Sequence, residues 1–296
     1  MEQKNTLKGV LLVALGASFY GMLATFVKLA YKENYTIEEV AFSQLLLGIL
    51  GMFLITIFQT RIRKIKPSKV EKNDTKKLLL VGTSLGLTSL FYYSSVLYIN
   101  VSVAVVLLMQ SVWMSVFIEA ILSKKFPSVR KIIAVGIVLF GTLLATNILK
   151  NNIEINWIGI FWGLMAAVSF STTMYASNHI ANYLPAYKKS LIMLLGGFFV
   201  VICFVIYNYN GSFNFAIFLK WGLILALFGT IIPPLLFNAG FPKSGLGLGS
   251  IVSSLELPVS VLMAYFLLNE KVNTWQWFGI FLILIAIVMM NIRFKR

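Results

Sequence analysis

The chain has 296 residues, of which 59% are hydrophobic and only 12% charged, and its formal net charge is +15. A soluble domain carries about 45–50% apolar and about 25% charged residues, and so few polar side chains could not cover a core this apolar in water. The composition excludes a water-soluble globule and points to lipid as the solvent. The basic excess does not call for a nucleic-acid partner, because Lys and Arg sit between apolar runs and at the ends instead of forming one solvated face. A single cysteine, Cys203, lies in an apolar run, which leaves no intrachain disulfide framework and no Cys/His metal spacing.

In chain order, Lys4 and Lys8 precede the first apolar run. The small residues Ala14 to Ala17 resemble a signal-peptidase site, but the run continues to about Ala30, so an uncleaved first helix is expected. Ten stretches reach the roughly 20 apolar residues that a span needs. They are roughly 9–30, 40–60, 77–98, 101–122, 130–149, 157–180, 189–208, 217–238, 245–268 and 274–293. Each is expected to be helical, since an open strand in lipid leaves its backbone unpaired. Arg61–Lys77, with Pro67 and many lysines, reads as the longest cytoplasmic loop. With the N-terminus inside, the inner segments hold twenty Lys and Arg and the outer segments five, Lys28, Lys32, Lys150, Lys220 and Lys271. That bias predicts a multi-pass plasma-membrane protein with both termini cytoplasmic.

The halves 1–150 and 151–296 resemble each other at an offset of about 145 to 151 residues. Ala17-Ser18-Phe19 aligns with Val168-Ser169-Phe170, and Met109 to Lys125 with Leu255 to Lys271, which sets Gln110 opposite Glu256. Ala134 and Gly141 match Gly279 and Ala286. Five spans per half is an odd number, so the second copy enters the membrane in the opposite sense. The fold class expected is therefore an all-α integral membrane protein, ten transmembrane helices as two inverted-topology five-helix repeats, an arrangement that places a substrate site near the midplane.

The sequence resembles the drug/metabolite transporter superfamily and, within it, the EamA-type families with two five-helix halves. The residues that carry the resemblance are Leu12–Phe26, rich in Ala, Gly and Ser, and Leu255-Glu256-Leu257-Pro258-Val259-Ser260 running to Leu267-Leu268-Asn269-Glu270-Lys271. Gly279 and Ala286 echo the small residues of the tenth helix. The first half departs from the pattern, with Val112 at the proline position and Lys124-Lys125 at the acidic one. The resemblance implies transport of small metabolites, amino-acid-like or drug-like, often outward.

Two acids lie within spans. Glu256 is mid-span beside Ser253, Ser254 and Pro258; an intramembrane carboxyl marks a substrate-ammonium or proton-coupling site, or else locks helix packing. Glu119 lies near the inner end of the fourth span, where local pairing close to Lys124 is expected. Gln110 and Trp113 share a helix face and offer an amide and a flat apolar wall, or an interhelical bond with an outward indole. Polar clusters in the third span (Tyr92, Tyr93) and the sixth (Ser169, Thr172, Tyr175) are expected to line a cavity, with Tyr20 and Asn238 as further candidates. His179, the lone histidine, reads as structural. Pro233-Pro234 should kink or break the eighth span, and Gly245, Gly247 and Gly249 should serve close helix packing. No Walker motif, no HExxH and no carboxylate pair on one helix face occur, so no cofactor or metal is expected and the pattern argues against a primary pump. The reading is a non-enzymatic secondary transporter or facilitator of a small-molecule substrate. It works by alternating access around a central cavity, with proton coupling through Glu256 as the coupling hypothesis. A polytopic enzyme, or a channel or scaffold subunit, are the alternatives.

Overall fold

The computed structural model describes residues 2–62, 70–99, 101–146, 156–209, 211–269 and 271–291. The loop around Pro67, the ends of the fifth and tenth spans, Glu270, and the terminal Arg293, Lys295 and Arg296 lie outside them. Among the described residues there is no strand. The helices are α1 (Glu2–Lys32), α2 (Ile37–Ile57), α3 (Lys72–Tyr98), α4 (Val101–Leu108), α5 (Ser111–Ser123), α6 (Val129–Ala145) and α7 (Trp157–His179). They continue with α8 (Ala186–Asn208), α9 (Leu223–Leu225), α10 (Ile232–Ser244), α11 (Leu246–Ser253), α12 (Glu256–Leu268) and α13 (Thr274–Asn291). By length and composition 8 helical stretches among the described residues can cross a membrane, with the shorter apolar Thr274–Met290 besides. In water these faces would be exposed. Leu80, Phe199 and Leu219 at 73%, 66% and 94% exposure make sense only against lipid.

Local chemistry sets the helix ends. Thr36 and Glu39 form a capping box at the start of α2, and Asn156 accepts from Ile158 and Gly159 at 3.0 and 3.2 Å at the start of α7. Lys189, one of the twenty basic residues of the inner segments, is only 1% exposed. Its Nζ donates to Ser177 O at 2.9 Å and to Asn182 Oδ1 at 3.0 Å, placing a cation on the negative C-terminal end of α7. The proline pair does not interrupt the eighth stretch. Phe218–Ser244 stays helical by taking π turns over Phe218–Gly222 and Ala226–Ile231, and Pro233 and Pro234 then enter at the first turn of α10, where their missing N–H groups are harmless.

Two predicted spans are broken instead. The fourth divides at Met109-Gln110 into α4 and α5, and the ninth at Ser254-Leu255 into α11 and α12. At each break the backbone tightens, with Gln110 N bonding Leu107 O and Leu255 N bonding Val252 O. Side chains add to the backbone bonds there: Gln110 Nε2 donates to Val106 O at 3.0 Å, and the Ser254 hydroxyl joins its own N–H on Ile251 O, at 2.6 Å. The breaks share a constant register of 145 residues, which also relates Ser128 to Asn273 as helix N-caps and Lys124 to Asn269 as left-handed C-caps at φ 52° and 53°. That register corrects the expected pairing by one residue. Ser111, not Gln110, stands opposite Glu256, and Trp113, not Val112, opposite Pro258, because the caps fix an alignment that sequence similarity alone leaves loose.

Close helix approaches hold the bundle together. At Gly82 and Gly196 a Cβ would strike the main chain of Met193 and Leu79, so α3 and α8 pack backbone to backbone. Gly141 meets Gly279 in the same way between α6 and α13. α1 packs along α10, and α3 along α7.

Candidate functional site

Between α1, α2, α3, α10 and α12 lies a cavity open at one mouth, the concave, largely apolar kind of site that takes a small organic solute. Its walls carry Tyr20, Tyr31, Tyr92 and Tyr93, the amide of Gln44, and the hydroxyls of Thr88, Ser89, Thr230 and Ser260. Among the described residues that line it, Glu256 is the one acid and Lys28 the one base. Glu256 reaches the cavity because the helix restarts at this residue after the Ser254-Leu255 break. One of its oxygens, Oε2, is buried without a hydrogen-bond partner among the described residues, and so is Tyr31 Oη. Tyr93 donates to Gln44 Oε1 at 3.3 Å and meets Tyr31 edge to face at 6.2 Å. Thr230 holds the Gln44 main chain at 3.0 Å.

One end of the cavity is shut. Tyr20 stacks edge-on against Phe237 at 5.5 Å and Phe170 at 6.1 Å, and Phe237 against Phe241 at 5.2 Å. Val13, Ala17, Met174 and Leu246 fill the space below. Beyond this plug Glu119 of α5 pairs with Lys131 of α6, directly over Gly247 of α11, where a Cβ would strike the carboxylate. Glu119 therefore pairs with Lys131, not with the nearer Lys124. Ser250 of α11 donates to Val112 O of α5 at 3.4 Å. At the other end α4 and α12 part, and a second chamber opens between Val105 and the Val261-Ala264 face, reached by Thr25, Lys28, Thr146, Lys271 and Gln276.

Of the residues singled out in the sequence, Glu256, Tyr20, Tyr92 and Tyr93 meet in the cavity. The others lie elsewhere. Trp113 Nε1 donates to Gln110 Oε1 at 3.0 Å, closing those two side chains on each other. Ser169 bonds Ser84 O at 2.9 Å and Thr172 bonds Val168 O at 2.9 Å, each serving helix backbone. Tyr175 stacks on His179 at 4.9 Å. Asn238 is buried, donating to Ser190 at 2.8 Å. The residues missed were Gln44, Tyr31, Thr230 and Lys28. A lone amide within the apolar second span is the available signal for Gln44, whereas Lys28 reads from sequence only as one of the outer-segment charges.

This arrangement of two matching helical halves around a closed-ended cavity is that of a membrane transporter. Residues 7–147 and 157–292 each match the model of the EamA-like transporter family, and the chain belongs to that family as two copies of its domain. A relative in Salmonella typhimurium, described as the uncharacterized inner membrane transporter YicL, is 27% identical over 99% of this chain and 98% of its own. A solved crystal structure superposes with a TM-score of 0.78 over 95% of this chain and 97% of that one. Their sequences are 14% identical, so this match speaks for the fold alone.

Proposed function

We propose that this protein is a ten-span secondary transporter of the plasma membrane that exports small amine-bearing metabolites, amino-acid-like or drug-like, by alternating access. The observation that carries the reading is Glu256: a carboxyl with one oxygen buried and unpartnered, on the wall of a cavity with four tyrosines. A lone carboxylate at this depth is costly unless a cation or a proton neutralises it, and tyrosine faces attract ammonium groups. The two halves, 1–150 and 151–296, act as inverted repeats. The 145-residue register from the fourth span through the fifth supports this, as does the odd number of spans in each half.

The charge bias supports cytoplasmic termini. On that orientation the mouth at Lys28 and Tyr31 faces outward, and the Tyr20–Phe237 plug and the Glu119–Lys131 pair seal the cytoplasmic side. The contact of α5 with α11 corresponds, under the register, to α12 with α4. The first is closed and the second parted, which is what one of two alternating states requires. Closing α12 onto α4 while α11 leaves α5 gives the other. Proton and amine compete for Glu256: an external proton displaces the amine outward, the halves rock, and a cytoplasmic amine displaces the proton inward.

The test is counterflow in liposomes holding the purified protein, with a panel of labelled amines and amino acids. Saturable exchange accelerated by external acid is expected, and Glu256→Gln should abolish the acid effect and weaken amine binding. A Glu256→Gln protein with unaltered pH dependence and affinity refutes the reading.

A further inference from the structure

We infer that the cargo carries, besides its amine, a neutral group that both donates and accepts hydrogen bonds, such as a hydroxyl, seated on the main-chain carbonyl of Gly229 and the amide of Gln44. The inference rests on the amine site proposed above and adds the group that the opposite wall of the cavity reads. Its origin is the proline pair. A π turn sends each N–H to the carbonyl five residues back, and Ile232 N–H accordingly bonds Leu227 O. The carbonyls of Phe228 and Gly229 come next. With Ile232 engaged, their helical donors would be the N–H groups of residues 233 and 234, in π or in α register. Both residues are prolines, which have no N–H. α10 loses nothing by this, but the π turn before it keeps two carbonyls that no helix bond reaches.

Phe228 turns its ring to Phe19 and Phe26, whereas Gly229 lines the cavity beside Thr230 and Pro234. Gly229 is buried. A buried carbonyl without a partner is costly, and within a membrane such backbone is tolerated only inside protein or on the wall of a cavity. A Cβ at Gly229 would strike Gln44 Nε2, so the Gln44 amide lies against this bare stretch of main chain. Gln44 Oε1 already accepts from Tyr93 at 3.3 Å, and the Thr230 hydroxyl is committed to Gln44 O at 3.0 Å. Among the described residues no side chain donates to Gly229 O and none accepts from Gln44 Nε2. An acceptor and a donor thus stand side by side, both unused. A hydroxyl satisfies the two at once, an ether only the donor, and a methyl group neither. The site also shares its depth with Glu256. On α1, Gly21 lies against Glu256 O and Leu23 against Gly229, and two residues are about 3 Å of rise and about 200° of turn. The two sites therefore flank α1 on opposite walls, about 10 Å apart, one helix diameter.

ω-Amino alcohols of rising chain length, each beside its methyl ether and the alkylamine of equal length, tell the two sites apart. Binding is read by thermal shift of the purified protein and by inhibition of counterflow. The alcohol whose polar ends lie about 10 Å apart is expected to bind best, about tenfold tighter than its ether or alkylamine. Pro233→Ala with Pro234→Ala gives Gly229 O a helix donor in either register. That double variant should lose most of the preference for the alcohol and keep its affinity for the alkylamine, and Gln44→Leu should cut the same preference. Equal binding of alcohol and alkylamine at every length, a preference that peaks at the shortest alcohol, or one that survives the proline replacements undiminished overturns the inference. Should the double variant fail to fold, an unaltered preference in Gln44→Leu overturns it as well. In each of those cases a Glu256-dependent affinity for plain alkylamines still stands as the separate test of the amine site.

Discussion

Replacing Glu119 by Gln removes a charge from the proposed cytoplasmic seal while keeping its shape. Both members of the Glu119–Lys131 pair are about one-quarter exposed, at 26% and 24%, so the pair is partly screened. Exposed pairs contribute about 0.2–1 kcal/mol, and the carboxylate's place over the start of α11 argues for the upper end, about 1 kcal/mol. If the pair exists only when α5 and α11 are together, its loss shifts the inner-closed to inner-open ratio about fivefold toward open. The assay uses a Cys203→Ser background with Val13→Cys, a buried position of the plug, and an impermeant maleimide on the cytoplasmic side. Labelling about five times faster in Glu119→Gln is expected, with the same gain in Lys131→Gln and no further gain in the double variant. Unaltered labelling in correctly folded single variants, or gains that simply add, would show that the pair does not hold the seal.

Gly82→Ala should destabilise the protein by about 1–3 kcal/mol, since its Cβ meets the Met193 main chain, which cannot swing aside. Gly136→Ala, with nothing within 4 Å of the added Cβ, should leave the melting temperature unchanged or higher; equal losses in both would remove the backbone-contact argument. Lys189→Met keeps the volume but strands Ser177 O and Asn182 Oδ1, and a loss of about 1–3 kcal/mol is expected in denaturant titrations in detergent. A neutral result there would mean that water already serves those acceptors. Outside the membrane, the hydrogen bond from Lys220 holds the Glu33 carboxyl below its ordinary pKa, with Trp221 Nε1 adding a second. A lowered folded pKa contributes stability above the unfolded value and loses it as pH falls through the folded one. The melting-temperature gap between wild type and Glu33→Gln should therefore be open at neutral pH and close as the pH drops below the usual carboxylate range. A gap that persists in strong acid contradicts the assignment.

The sequence made the helices and the duplication readable because both are written in long-range patterns, apolar length and repeated small residues. It could not show the breaks at Met109-Gln110 and Ser254-Leu255, since the few polar residues there leave each stretch apolar enough to span and only one of the two has a nearby proline. Glu256 was legible because a carboxyl in a span stands out against its neighbours. Ser169, Thr172 and Tyr175 were legible as polar, but not as backbone- and ring-bonded, because hydroxyls on a helix face a cavity or their own carbonyls with the same spelling. Lys189 shows the converse: a lysine at a predicted boundary reads as a surface charge, and only its bonds to Ser177 O at the end of α7 and to Asn182 in the following turn turn it inward.

The register that links the halves carries Glu119 onto Ala264 and Lys131 onto Gln276, and both of those line the second chamber. A perfectly twofold molecule would have two mirror-related states of equal energy and would rest in neither. Here one face carries an ion pair and its twin a methyl group and an amide, so under the alternating access proposed above these two positions favour the state in which the paired face is closed. Transplanting the pair, as Ala264→Glu with Gln276→Lys, would give both ends the same fastening and turn a biased switch into a balanced one.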